Sequence, residues 1–124
     1  LAAEGSRVAV FVYGTLRRGC SAHGLLRPSR LLGVGAVRGY TLLALGAYPE
    51  AVEAPRECRV VGEVYRVPAW VLARLDRYEG GLYSKRVVEV EMLGGGVARA
   101  WMYVSARSGP VSRCLLEEWF CRGR

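Results

Sequence analysis

Val8-Ala9-Val10-Phe11-Val12-Tyr13-Gly14-Thr15-Leu16-Arg17-Arg18-Gly19 is the stretch from which the rest of the chain is best read. Val8 to Tyr13 is an unbroken apolar and β-branched run of strand length, and it predicts a buried strand over residues 7–13. The run stops at Gly14 and passes at once into a polar, basic loop. A strand that delivers a glycine and a threonine to its end can present backbone N–H groups to an anionic ligand. Many strands end in glycine, so this pattern gains weight from a distant one. Leu75-Asp76-Arg77-Tyr78-Glu79-Gly80 sets a carboxylate beside a glycine.

Outward from the first strand, residues 17–30 read as a basic loop in which Pro28 keeps any helix short. Leu31 to Val37 and Tyr40 to Leu45 are strand-like, and Gly46 with Pro49 predicts a turn or bulge. Residues 58–67 alternate well enough for another strand. Pro68 suits the first turn of a helix, in which Val71, Leu75 and Tyr78 recur at helical spacing until Gly80 stops it. Tyr83 to Met92 then alternate, with Val88, Val90 and Met92 opposing Glu89 and Glu91. Gly94-Gly95-Gly96 predicts a tight hairpin, and Val97 to Val104 the partner strand. A final amphipathic helix over about Val111 to Phe120 is expected to bury Leu115 and Trp119. Nothing repeats and no linker divides the chain. The reading is therefore one α+β domain over residues 1–124, with a mixed, strongly bent sheet.

Composition bounds the function. The chain has 124 residues and is 52% hydrophobic, enough to bury a core without disulfides or metal. No apolar run reaches the ~18–20 residues of a membrane span, so no membrane partner is expected. Leu1-Ala2-Ala3-Glu4-Gly5 lacks the charged start and long apolar stretch of a secretory leader, and the expected compartment is the cytoplasm. The net charge is +7, with Lys85 the single lysine among 18 basic residues. The arginines are spread along the whole chain, without interleaved aromatic residues, so no nucleic-acid partner is expected. Attraction of a small anionic substrate uses the same charge. Asn, Gln and Ile are absent, which fits a thermophile and fits biased codon usage equally.

Cys20, Cys58, Cys114 and Cys121 lack C-x-x-C spacing, and only His23 could assist them, so no metal site is expected. On a helix, Cys114 and Cys121 would lie ~10.5 Å apart along the axis. That exceeds the ~7 Å a disulfide allows between α-carbons. Buried free thiols are the expectation; a bond to Cys20 or Cys58 is the alternative for a hyperthermophile.

Among candidate catalytic groups, Glu79 stands at a predicted helix C-terminus, where the helix dipole disfavours a carboxylate. It is either a solvated acid or a base whose pKa is raised toward neutrality. Asp76, one turn earlier, reads as an ordinary surface acid. Glu63 sits inside a strand and is either a second candidate or the partner of an arginine. His23 reads as a neutral loop residue, and no serine or cysteine lies in a nucleophile elbow. Gly14 to Gly19 lacks the G-K-[ST] ending of a phosphate-binding loop.

Taken together, Tyr13-Gly14-Thr15-Leu16-Arg17, Gly46-Ala47-Tyr48-Pro49, Gly62-Glu63-Val64-Tyr65 and Leu75-Asp76-x-x-Glu79-Gly80-x-x-Tyr83-x-x-Arg86 closely resemble the γ-glutamylcyclotransferase-like proteins. That group includes avirulence-induced-gene-like and γ-glutamylamine cyclotransferase domains, and the resemblance spans roughly residues 8–105. It implies a small mixed β-barrel flanked by helices, with the ligand in a cavity at one end. It also implies that Glu79 is the catalytic base and that Tyr13, Gly14, Thr15 and Leu16 hold the γ-glutamyl group, with Tyr83 beside them. The implied partner is a small γ-glutamyl substrate, with no cofactor and no metal. The chain departs from the pattern at Ala22-His23, where many relatives have Asn-His. At Pro110-Val111-Ser112 it also lacks a tyrosine that some larger relatives carry. Both departures bear on substrate choice.

The chemistry suits these residues. A γ-glutamyl amide carries its own nucleophile, the α-amino group, so no covalent enzyme intermediate is needed. The expected products are 5-oxoproline and a free amine. The alternative of a different class is a non-catalytic domain of the same fold that binds a small acidic ligand.

Overall fold

A computed structural model describes residues 7–121. The leader reading of Leu1 to Gly5 lies outside these residues. Seven strands and one α-helix follow in the order β1 (Arg7–Val12), β2 (Arg30–Arg38), β3 (Tyr40–Leu45), β4 (Tyr48–Glu53), β5 (Arg59–Pro68), α1 (Ala69–Glu79), β6 (Tyr83–Met92) and β7 (Val97–Ser105). Short 3-10 turns occupy His23–Leu26 and Gly80–Leu82.

Five strands close a barrel in the order β1-β5-β2-β6-β7, and β3 and β4 form a separate two-stranded sheet. All pairings are antiparallel except the seam, where β7 runs parallel to β1 through Val10↔Trp101 and Phe11↔Met102. The expected small mixed barrel is therefore present, flanked by a single α-helix.

The period of two explains why the first strand is apolar throughout. Phe11 and Tyr13 point into the barrel and pack with Val60, Val64, Val90 and Met102. Val10 and Val12 point outward and meet Tyr65, Val67, Val71, Leu75 and Tyr103 under α1. Both faces are covered, so polar alternation would be destabilising here. Val71 and Leu75 of α1 are completely buried. Burying each stabilises the helix docking by roughly 1.5–3 kcal/mol. The helix stops at Gly80, whose φ of +61° disfavours any side chain, and whose amide donates to the Asp76 carbonyl oxygen.

Three sequence expectations are corrected. The turn expected at Gly46 is present at residues 46–47, but Pro49 lies in the strand Tyr48–Glu53, which the sequence reading did not include: Leu45↔Tyr48 closes a hairpin, and Pro49 is accommodated in a sheet of only two strands. The segment 111–120 is not a helix. It runs as an irregular strap whose backbone pairs with other elements: the Leu42 amide donates to the Leu116 carbonyl at 2.9 Å, the Val61 amide to the Glu117 carbonyl at 2.7 Å, and the Val111 amide to the Glu53 carbonyl at 2.9 Å. Leu115 is exposed, and Trp119 alone packs against the barrel interior. The tertiary hydrogen bonds satisfy backbone groups that a helix would have satisfied internally.

The cysteines are not free thiols. Cys20 is bonded to Cys121 and Cys58 to Cys114, with α-carbons 5.7 and 5.3 Å apart. Cys114 and Cys121 do not pair with each other, and the irregular strap carries them to different parts of the chain. Among the described residues no helix is long and apolar enough to cross a membrane. Nor do three His, Cys, Asp or Glu side chains cluster there to hold a metal.

Candidate active site

A pocket opens where the end of β1 meets the C-terminus of α1. The chain from Phe11 to Leu16 forms one wall, Tyr48 and Pro49 of β4 another, and Glu79, Tyr83 and Tyr103 complete it. The fold thus brings together all six residues expected from the sequence: Tyr13, Gly14, Thr15, Leu16, Glu79 and Tyr83.

Glu79 ends α1 and is half-buried. Among the described residues its carboxylate has no ion pair and no hydrogen bond. Burial alone pushes its pKa from 4.5 up to about 7. The sequence suggested a raised pKa from the helix end; the operative cause is desolvation.

At the start of the loop after β1, residues 14–16 have their carbonyls engaged and, among the described residues, their amides without a partner. The Gly14 carbonyl accepts from the Arg17 amide at 3.0 Å, and the Thr15 carbonyl from the Ala22 amide at 3.0 Å. The Leu16 carbonyl lies 2.9 Å from His23 Nδ1, which must carry the proton to bond it. His23 is therefore a loop fastener, its ring tilted against that of Tyr65 with centroids 5.5 Å apart. Within the described residues, the amides of Gly14, Thr15 and Leu16 form no hydrogen bond of their own. All three residues line the pocket, and backbone donors without partners are of the kind that suits a developing oxyanion. Gly14 itself fits closely: a Cβ there would sit 3.1 Å from Pro49 Cγ and Cδ.

Three carboxylates hold this frame. Glu63 accepts from the Arg18 amide at 2.9 Å and the Tyr65 hydroxyl at 3.0 Å, and pairs with Arg17 at 3.4 Å. Of its two readings, the arginine partner is the one observed. Asp76, expected as a plain surface acid, accepts from the Tyr103 hydroxyl at 2.6 Å and from Lys85 at 3.0 Å, tying α1 to β6 and β7. Glu50 was not anticipated. It is fully buried beside Pro49 and takes Arg107 on one oxygen, while its other oxygen has no partner among the described residues. Its only signal in the sequence is a carboxylate in a strand directly after Tyr48-Pro49.

The tyrosines are fixed donors rather than acids. The Tyr13 hydroxyl donates to the Tyr103 carbonyl at 2.6 Å and accepts from the Ala51 amide at 3.2 Å. Tyr13 thus lines the pocket with its ring while its hydroxyl fastens β1 to β4 and β7. The Tyr83 hydroxyl donates to the Pro49 carbonyl at 3.0 Å. Burial, followed by the neighbouring carboxylates, keeps Tyr83 protonated well above its ordinary range; for Tyr103 burial is followed by the bond to Asp76. Thr15 Oγ1 and the Tyr78 hydroxyl lie 3.0 Å apart and bridge the loop to the end of α1.

Residues 10–120 match the family described as "Gamma-glutamyl cyclotransferase, AIG2-like". The chain is 38% identical over 100 residues to the gamma-glutamylcyclotransferase family protein YtfP of Escherichia coli (strain K12), covering 79% of this chain and 82% of that one. It superposes on the crystal structure of an aig2-like protein from Mus musculus with TM-score 0.74 at 26% identity, over 82% of this chain and 79% of that one. It also superposes on YkqA from Bacillus subtilis with TM-score 0.72 at 31% identity, over 82% of this chain but only 36% of that longer one.

Proposed function

We propose, from the premise that this chain belongs to the AIG2-like gamma-glutamyl cyclotransferase family, that it cyclises γ-glutamyl amides to 5-oxoproline and releases the amine. The observation that carries this reading is the unpartnered Glu79, with a pKa of about 7, lining the same pocket as the free amides of residues 14–16. Each step has a group to perform it. The substrate's α-ammonium must lose a proton, and the raised pKa of Glu79 makes it a stronger base for that transfer than an ordinary carboxylate. The neutral amine then attacks the γ-carbonyl and closes a five-membered ring. Holding the two ends in that geometry can supply ~7 kcal/mol of the barrier. The oxyanion is received by the amides of Gly14, Thr15 and Leu16. Protonated Glu79 returns its proton to the leaving nitrogen as the carbon–nitrogen bond breaks, and the regenerated carboxylate takes the second proton of the ring nitrogen, which leaves the neutral lactam, and passes it to the departing amine.

The rigid Tyr13, Tyr83 and Tyr103 positions exclude water and keep the carboxylate desolvated. The test is Glu79→Gln with a γ-glutamyl amide, following 5-oxoproline. A fall in kcat of at least ~100-fold with retained binding is expected. Undiminished turnover removes Glu79 from the role. Binding by the unaltered protein without any 5-oxoproline would instead make this a binding domain.

A further inference from the structure

Beside the pocket lies a second cleft, and Thr15 lines both. Its other walls are the 46–47 tip of the β3–β4 hairpin, the Cys20–Cys121 disulfide, and Trp119 and Phe120 of the C-terminal strap. Among the described residues no charged side chain lines it. Phe120 is 72% exposed, an unusual setting for a large aromatic residue held in place by its neighbours.

It is held firmly. The Trp119 carbonyl accepts from Arg17 at 2.9 Å, and Arg17 also reaches Glu118 at 3.1 Å. The Arg17 guanidinium stands 5.9 Å from the Phe120 ring centre, and the disulfide fixes the next residue. Arg17 immediately follows the 14–16 loop, so the aromatic wall and the loop form one rigid piece. Phe120 itself does not line the pocket around Glu79, and core packing does not require it.

We infer that this cleft is the subsite for the leaving amine, and that the enzyme acts on γ-glutamyl amides of uncharged aromatic or apolar amines. The inference rests on the proposed cyclisation and adds its substrate class. A substrate with its γ-carbonyl at the 14–16 amides must send its nitrogen substituent out of the pocket, and the cleft continues from Thr15. An amino-acid or dipeptide leaving group would bring a carboxylate into a cleft whose described lining is uncharged, and the neighbouring Arg17 is already engaged by Glu63, Glu118 and the Trp119 carbonyl. An aromatic ring would instead meet Phe120 and Trp119.

The experiment compares kcat/KM, by 5-oxoproline release, for the γ-glutamyl derivatives of benzylamine, methylamine and glycine. The benzylamide should exceed the methylamide by about tenfold, with the glycine derivative no better than the methylamide. Phe120→Ala, which removes an exposed side chain, should bring the benzyl-to-methyl ratio close to one. Phe120→Tyr should restore it. Equal values for the unaltered enzyme, a preference for the glycine derivative, or an unchanged ratio in Phe120→Ala would overturn the subsite while cyclisation stands. Absence of 5-oxoproline from all three would overturn cyclisation and the subsite with it.

Discussion

Replacing Glu79 by glutamine should stabilise the protein at neutral pH while removing its activity. The carboxylate has a pKa of about 7 in the fold and 4.5 in an unfolded chain, because burial disfavours its charge. That displacement is equivalent to ~3 kcal/mol. The sign follows from proton counting. Below pH 4.5 both states hold the proton, and Glu79 contributes no pH dependence. Between 4.5 and about 7 the folded state keeps a proton that the unfolded chain has released, so stability falls as pH rises. Above that window the whole cost is present. Glutamine has nearly the same shape and no charge, so it loses this slope.

The advantage of Glu79→Gln should therefore be close to zero at pH 4 and grow to as much as ~3 kcal/mol at pH 8, or on the order of 10 °C in Tm. Urea denaturation of both proteins across that range, with the disulfides intact, measures it. Parallel stability curves would refute the argument, because they would mean that the carboxylate is solvated and has no raised pKa. The same ionisation should appear in catalysis: kcat/KM should fall about tenfold per pH unit below ~7.

Three further outcomes follow from the frame around the pocket. The Cys20–Cys121 and Cys58–Cys114 bonds close spans of 101 and 56 residues. Replacing either pair by alanine should cost about 4 kcal/mol in chemical denaturation, and a loss below ~1 kcal/mol would show that the strap is held by its hydrogen bonds alone. Arg17→Ala cuts the ties to Glu63, Glu118 and the Trp119 carbonyl at once. It should destabilise by about 2 kcal/mol and lower kcat/KM, whereas an unchanged Tm would mean that these part-buried ion pairs contribute little. Gly14→Ala drives a methyl group against Pro49. Thermal unfolding should report a loss of about 1 kcal/mol, with turnover falling further than stability because the oxyanion donors move; normal turnover would take these amides out of the mechanism.

The elements most legible in the sequence were those whose pattern is local. Val8 to Tyr13 reads as a buried strand because both faces of β1 are covered, and α1 is legible from Val71, Leu75 and the Gly80 stop. The alternation in β6 reappears as buried Val88 and Val90 between exposed Glu89 and Glu91. The strap misled for the converse reason. Leu115, Trp119 and the cysteines fall at intervals that suit a helix face, yet the backbone is committed to Leu42, Val61 and Glu53, whose positions are set by other strands. Asp76 and Glu50 were opaque because their partners, Tyr103 and Arg107, are remote in the chain.

By itself the sequence determined the barrel's strand-and-helix pattern, because periodicity and turn residues act between near neighbours. Through four spaced motifs it also determined the family resemblance and the set Tyr13, Gly14, Thr15, Leu16, Glu79 and Tyr83. Only the tertiary structure decided that Glu79 is desolvated and, among the described residues, unpartnered, that the carbonyls of residues 14–16 are occupied while their amides find no partner there, and that the cysteines pair across the barrel. Burial, hydrogen-bond completion and disulfide reach depend on which distant segments meet in space, and closure of β7 onto β1 is what brings them together.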